Sequence, residues 1–239
     1  MKKLIVLTGA GMSAESGLKT FRDAGGLWEN YNVEEVASID GWHRNPELMT
    51  RFYNERRAQL EHAEPNQGHK ILAELENAVN SHAERLFDVE IITQNVDNLH
   101  ERAGSTKIIH LHGELTKVRS VNNPDKVYDI GYRAIKYGEC APDEDGGGIL
   151  RPHIVWFGEA VPMISAASRL VREADIFAVI GSSLNVYPAA GLLYDLRGST
   201  ECYLIDPKDV AVPSGLNFTV IKAGASEGCE IMRGKLLNK

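Results

Sequence analysis

The stretch Lys2-Lys3-Leu4-Ile5-Val6-Leu7-Thr8-Gly9-Ala10-Gly11-Met12-Ser13-Ala14-Glu15-Ser16-Gly17 decides how the chain is read. Residues 4–7 form an unbroken apolar run, the pattern of a strand buried on both faces. Glycines follow at once, and then a helix-compatible segment. Such a turn predicts a pyrophosphate site, because free N–H groups and a helix dipole both favour negative charge there. On this reading Gly9 permits the tight turn, Gly11 lets the backbone approach the phosphates, and small Ala14 lets helix and strand pack closely. The G-x-G-x-x-A pattern alone does not separate a dinucleotide site from an ordinary strand-to-helix turn.

The same stretch imitates a signal peptide, but its apolar part stops at Thr8-Gly9. That is short of the roughly 7–15 residues of a signal core, so it reads as the first strand. No other segment approaches the ~20 apolar residues of a membrane span. With 239 residues, 43% of them hydrophobic, the chain suits one large domain or a large domain with a small inserted one. Thirty-three acidic against 26 basic residues, a net charge of -7, argue against nucleic acid or an anionic membrane as the main partner. Cys140, Cys202 and Cys229 are too few and too scattered for a disulfide framework, so a reducing cytoplasm is expected.

Further short apolar runs at 89–93, 107–111, 154–157, 176–180, 202–205 and 218–221 predict more strands buried on both faces. Helical spacing predicts helices over 46–62 and 66–86. The alternation of strand and helix gives an α/β fold, a Rossmann-like doubly wound parallel sheet. Residues 21–45, polar and glycine-rich, read as a loop over a site or a long surface connection. Residues 115–150, with Pro124, Pro142 and three consecutive glycines, read as a small inserted module.

In such a sheet, ligands bind outside the carboxyl ends of the strands. Polar clusters follow five predicted strands: Gly9 to Ser13, Gln94-Asn95-Val96-Asp97, His112-Gly113-Glu114, Gly181-Ser182-Ser183-Leu184-Asn185 and Asp206. Their convergence predicts a polar cleft. A nicotinamide dehydrogenase needs an acidic residue at the end of a second strand about 20 residues past the glycines. Glu29 lies near that distance in no strand, which counts against a dehydrogenase. Asp206 follows a convincing strand and suits either an adenosine ribose hydroxyl or a turn before Pro207.

Read together, these strand ends resemble the sirtuin family of NAD-dependent protein lysine deacylases. The resemblance rests on Thr8 to Gly17 with Thr20-Phe21-Arg22, on Thr93-Gln94-Asn95-Val96-Asp97-Asn98-Leu99-His100, on Leu111-His112-Gly113-Glu114-Leu115, on Arg151-Pro152-His153-Ile154-Val155-Trp156-Phe157-Gly158-Glu159, and on Gly181-Ser182-Ser183-Leu184-Asn185-Val186. These occur in family order across nearly the whole chain. The resemblance implies an NAD-binding domain of residues 1–20, 87–114 and 151–239. A cofactor loop and helical segment would span 21–86, and a small module 115–150, with acyl-lysine and NAD meeting between.

The resemblance also implies site residues. Gly9, Ala10, Gly11, Glu15, Phe21 and Arg22 would belong to the cofactor loop. Gln94, Asn95 and Asp97 would hold the nicotinamide ribose and carboxamide. Gly181, Ser182, Ser183 and Asp206 would lie near the phosphates and adenosine ribose, although the family usually has asparagine at position 206. His112 is the candidate acid–base group, since imidazole titrates near neutral pH. In the implied mechanism the acyl oxygen attacks the ribose carbon as nicotinamide leaves, giving an alkylamidate. His112 then helps a ribose hydroxyl attack it, yielding free lysine and O-acyl-ADP-ribose, and Asn95 and Asp97 count with it as catalytic residues. The segments around Val155, Phe157, Gly158, Glu159 and Val186 resemble those that hold an extended substrate peptide. NAD hydrolysis or ADP-ribosyl transfer would use the same pocket, and a non-catalytic NAD-binding module is the reading from another class.

Two departures carry their own expectations. The small module holds one cysteine, Cys140, and Ser120 stands where the first zinc thiolate of the family is expected. No structural metal is therefore expected, and a small core of Val118, Val121, Val127, Tyr128, Ile130, Tyr132, Ile135 and Tyr137 would hold the module instead. Tyr53 and Arg56, three apart on one helix face, resemble the Tyr-x-x-Arg element of class III sirtuins, which accept acidic acyl chains, with small Ala24 leaving room for the chain. Read without the family, Arg56 and Arg57 are surface charges and Tyr53 is core.

Overall fold

The computed structural model describes residues 1–19 and 31–238. Strands β1 (Lys2–Thr8), β2 (Phe87–Thr93) and β3 (Ile108–His110) begin a parallel sheet. A second sheet follows from β4 (Gly113–Ser120), β5 (Val127–Asp129) and β6 (Leu150–Ile154). The chain then returns to the first with β7 (Ile176–Ile180), β8 (Glu201–Ile205) and β9 (Phe218–Ile221). The order β3-β2-β1-β7-β8-β9 is that of a Rossmann sheet, and the small antiparallel sheet runs β5-β4-β6. Helices are α1 (Gly11–Ala14), α2 (Val33–Val36), α3 (Ile39–Arg44), α4 (Pro46–His62), α5 (Gln67–Glu76), α6 (Leu99–Ala103), α7 (Ile164–Glu173) and α8 (Ala225–Leu237).

The unbroken apolar reading of β1 has a direct cause. Leu4 and Val6 pack with Ile71, Leu72, Cys229 and Met232 on one side of the sheet. Ile5 and Leu7 pack with Ala167, Val171, Leu192 and Leu193 on the other. All four β1 residues are fully buried, each contributing about 1.5–3 kcal/mol. From β1 the chain crosses to β2 on one side and β7 lies on the other, which puts the topological switch, and hence the ligand crevice, at the ends of β1 and β7.

Three elements differ from the sequence expectations. The helix expected over 66–86 ends at Glu76, because the Asn80 side chain accepts from the amides of His82 and Glu84 and offers the backbone a turn. The strand expected over 154–157 is Leu150–Ile154 and pairs antiparallel with β4, while Phe157 pairs with residues 37 and 39. The helix after the first glycines is a single turn, so little dipole accumulates there.

The glycines themselves serve close packing of two loops. The amides of Gly9 and Gly11 are taken by the carbonyls of Ile180 and Gly181. A Cβ on Gly9 would lie 2.7 Å from the Gly181 oxygen, and one on Gly181 would lie 2.3 Å from the Met12 nitrogen. Gly181 also takes a φ of +61°, which glycine adopts without strain.

In the small module Val118, Ile135, Ala141 and Leu150 form the core, with Tyr128 and Ile130 against them. Val121, Val127 and Tyr137 are instead exposed, and Tyr132 packs into the core beneath α4.

Candidate active site

Asn45 caps α4 by accepting from the Leu48 amide, and Pro46 sits at its first position. The helix buries Met49, Phe52, Tyr53 and Leu60 against Trp42, Leu115, Ile154 and Trp156. These contacts tie α4 to the small sheet, whose Leu115 amide in turn donates to the Val96 carbonyl in the turn after β2.

His112 stands just after β3. Its Nδ1 lies 3.1 Å from the Gln94 carbonyl oxygen. Since a carbonyl only accepts, Nδ1 carries the proton and Nε2 of the neutral ring keeps a lone pair. Burial lowers the His112 pKa, and the bond to Gln94 opposes that only in part. The residue is pinned at its backbone too, where Val155 N–H donates to its carbonyl at 2.9 Å.

The turn after β2 is tied to the first glycine loop through side chains. Asn95 Nδ2 donates to the Gly9 carbonyl at 3.0 Å and to Ser13 Oγ at 3.1 Å. Ser13 Oγ in turn donates to Asp97 Oδ2 at 2.8 Å, and Asp97 Oδ1 accepts from the Leu99 amide. Burial raises the Asp97 pKa, while its bonds to Ser13 and Leu99 pull the other way. Gln94 Nε2 donates to Ser182 Oγ at 2.9 Å, joining the ends of β2 and β7. Ser13 is therefore a hub that the sequence reading left off its candidate set, although it stands inside the glycine motif.

Tyr53 is buried on α4, and its hydroxyl accepts from Trp156 Nε1–H at 2.9 Å. Trp156 adjoins Val155, which holds the His112 carbonyl, so Tyr53 and His112 grip the same short segment from two sides. Among the described residues no group accepts the Tyr53 proton. One turn along, the Arg56 guanidinium lies 5.2 Å from the Phe52 ring centre, and its Nε is buried without a partner. Burial lowers its pKa. Among the described residues no carboxylate reaches it as an ion pair. Arg57, expected as a surface charge beside it, is fully buried, with Nε donating to the Leu115 carbonyl at 2.7 Å.

A Sir2 family profile matches residues 9–188. The chain belongs to the Sir2 family. It is 54% identical over 242 residues to an NAD-dependent protein deacylase of Bacteroides thetaiotaomicron, covering 99% of both chains. It is 48% identical to one of Helicobacter pylori, covering 99% of this chain and 98% of the relative. The structure of a Sir2 homologue–NAD complex superposes with a TM-score of 0.84 at 35% identity, covering 99% of this chain and 90% of that one.

Several residues expected in this Sir2 site have other occupations. Glu15 accepts from the Ser226 amide and so ties α1 to the start of α8. Glu159 is held by Arg151 at 2.8 Å and Arg119 at 3.3 Å and accepts from the Trp156 amide, which makes it a brace behind the 155–157 segment. The carboxylate of Asp206 accepts from the Lys208 amide within its own turn. Phe157 is exposed, but its amide and carbonyl are already engaged by Ala37 and Ile39. Val186 is half-buried, Ser183 and Gly158 are exposed, and Ala10 caps α1. Phe21, Arg22 and Ala24 lie outside the described residues. Among the described residues no helix is long and apolar enough to cross a membrane.

Proposed function

We propose that this chain, an NAD-dependent protein deacylase of the Sir2 family, prefers negatively charged acyl groups such as succinyl and malonyl on lysine side chains over acetyl. The observation that carries the preference is Arg56, a half-buried cation that forms no ion pair with a carboxylate among the described residues and whose Nε is buried without an acceptor, one helical turn from a buried tyrosine that grips the His112 segment. A buried guanidinium N–H without an acceptor is costly, and a distal acyl carboxylate would supply that acceptor together with a counter-charge. The Tyr53 hydroxyl, which accepts from Trp156 and keeps its own proton free, would donate a further bond.

The junction of Gly9, Gly11 and Gly181, the Gln94–Ser182 tie and the Ser13–Asn95–Asp97 hub fit a dinucleotide at the switch point. When bound, NAD supplies the ribose carbon from which nicotinamide is displaced by the acyl oxygen. The chain's own residues would do the rest. Asn95 and Asp97 would hold the ribose, and His112 Nε2 would take a proton from one of its hydroxyls. The Trp156–Tyr53 wall keeps water from the acyl chain. With one water consumed as the intermediate on the ribose collapses to the ester and the free amine, the products would be free lysine, nicotinamide and O-acyl-ADP-ribose. A Sir2 structure bearing a deacetylated p53 peptide and 3′-O-acetyl ADP ribose, at 29% identity and a TM-score of 0.80, supports the peptide and product classes. The test is incubation with NAD and matched succinyl-, malonyl- and acetyl-lysine peptides, following peptide mass and nicotinamide. Faster turnover of acetyl-lysine overturns the preference, and nicotinamide release at constant peptide mass overturns deacylation.

The small module would hold without zinc. Ser120 Oγ donates to the Gly147 carbonyl and accepts from the amides of Asn122 and Asn123, while Tyr128 and Lys126 both bind Asp145. These bonds join the two ends of the module that a metal would otherwise join. A chelator should leave the melting temperature unchanged, and elemental analysis should find well under one zinc per chain. One tightly held zinc overturns this.

A further inference from the structure

A second histidine stands two residues before His112 and has no part in the chemistry just described. The His110 ring is about nine-tenths buried. Its Nδ1 lies 3.4 Å from the carbonyl oxygen of Asn95, and its Nε2 lies 2.7 Å from Glu101 Oε1. Both partners are acceptors, so both ring nitrogens must carry protons, and only an imidazolium does so. Glu114 Oε1 stands 3.9 Å from the same nitrogen. The three ligand atoms of Glu101, His110 and Glu114 lie within 4.8 Å of one another, but a protonated Nε2 has no lone pair for a cation.

Histidines 110 and 112 thus grip consecutive carbonyls of one turn, those of Asn95 and Gln94. His112 does so as a neutral ring and His110 as a charged one. We infer that His110 is a positioning residue, an imidazolium clamp that joins the Asn95 carbonyl to Glu101 on α6 and so holds the turn carrying Asn95 and Asp97. The inference rests on the deacylase reading of that turn.

The surroundings set the direction of its pH dependence. Glu101 on α6 and Glu114 on β4 favour the charged ring, Glu114 being shared with Lys117 at 2.6 Å. The nearly buried Asp97 also faces it. Burial opposes the charge, and the charged His110 ring in turn helps to keep the neighbouring His100 neutral. The balance raises the His110 pKa. A raised folded-state pKa means that the clamp is complete below the ordinary histidine value of about 6.5 and is lost as pH rises through the higher folded one. His112 behaves oppositely, since its base form is lost as pH falls. Activity is therefore bell-shaped, with His112 setting the acid limb and His110 the alkaline limb.

The experiment compares the native chain, His110→Gln and Glu101→Gln, measuring deacylation across pH and titrating the imidazoles by NMR. His110→Gln should raise the KM for NAD about tenfold, as for one lost charge-assisted bond, and lose the alkaline limb. Glu101→Gln, which alters a half-exposed side chain and leaves the core intact, should move that limb and the His110 titration down by about one pH unit. Should His110→Gln not fold, the Glu101→Gln shift alone decides. Unchanged alkaline limbs in an active enzyme, or a His110 titration below 6.5, overturn the clamp. Inactivity of the native chain on every acyl peptide would instead overturn the deacylase reading, with the NMR titration still reporting the clamp.

Discussion

His112→Ala should fold as the native chain does and turn over acyl-lysine at least about a hundredfold more slowly, the loss typical of a missing general acid–base group. The fold should tolerate the change because the ring is only partly buried and makes one hydrogen bond, to a carbonyl that can take water instead. The effect should fall on kcat, since NAD would contact mainly the turn at 94–97 and the 181–183 loop. The acid limb of native activity should disappear in the variant's residual rate. Its position follows from the sign of the shift: burial lowers the His112 pKa, so the base form persists below the ordinary histidine value and is lost only as pH falls further. Turnover in His112→Ala within a fewfold of native, with nicotinamide release tracking peptide mass, would remove His112 from the reaction.

Much of this site is legible because strand ends in a parallel sheet converge. Residues 4–7, 176–180 and 202–205 read as strands since helices cover both faces, and polar clusters after them must meet at one edge. That Tyr53 and Arg56 share a helix, one turn apart, is legible for a local reason. Contacts across long sequence separations were not. Nothing in Glu15 announces that its carboxylate binds an amide 211 residues away. Glu159 looks like a loop acid until β6 brings Arg151 beneath it. Nothing in Gly11 announces that a Cβ there would meet the Gly181 backbone from the other half of the sheet. Arg56 and Arg57 are adjacent and alike in sequence, yet the helix turns Arg57 into the core and leaves Arg56 half-buried. His110 and His112 differ only by which nitrogens find acceptors, and periodicity carries no information on that.

Arg56→Met should abolish the preference for acidic acyl groups. Methionine keeps an unbranched apolar stem over Phe52 and removes the charge, so packing on α4 should survive. The native site holds a guanidinium whose Nε lacks an acceptor. A succinyl carboxylate would complete it with one or two charge-assisted hydrogen bonds, whereas acetyl leaves it unpartnered. Each such bond contributes about 1.5–3 kcal/mol, so kcat/KM on succinyl-lysine should fall about 10- to 150-fold while that on acetyl-lysine changes little or rises. Arg56→Lys separates charge from geometry: an ammonium retains attraction but not the planar fork, and should give an intermediate ratio. Tyr53→Phe should cost less, since it removes one hydroxyl and leaves the Trp156 N–H without its acceptor. Matched peptides differing only in the acyl group, assayed on all four proteins, decide it. A succinyl-to-acetyl ratio that is equal in the native chain and Arg56→Met would return Arg56 to an ordinary helix-surface charge.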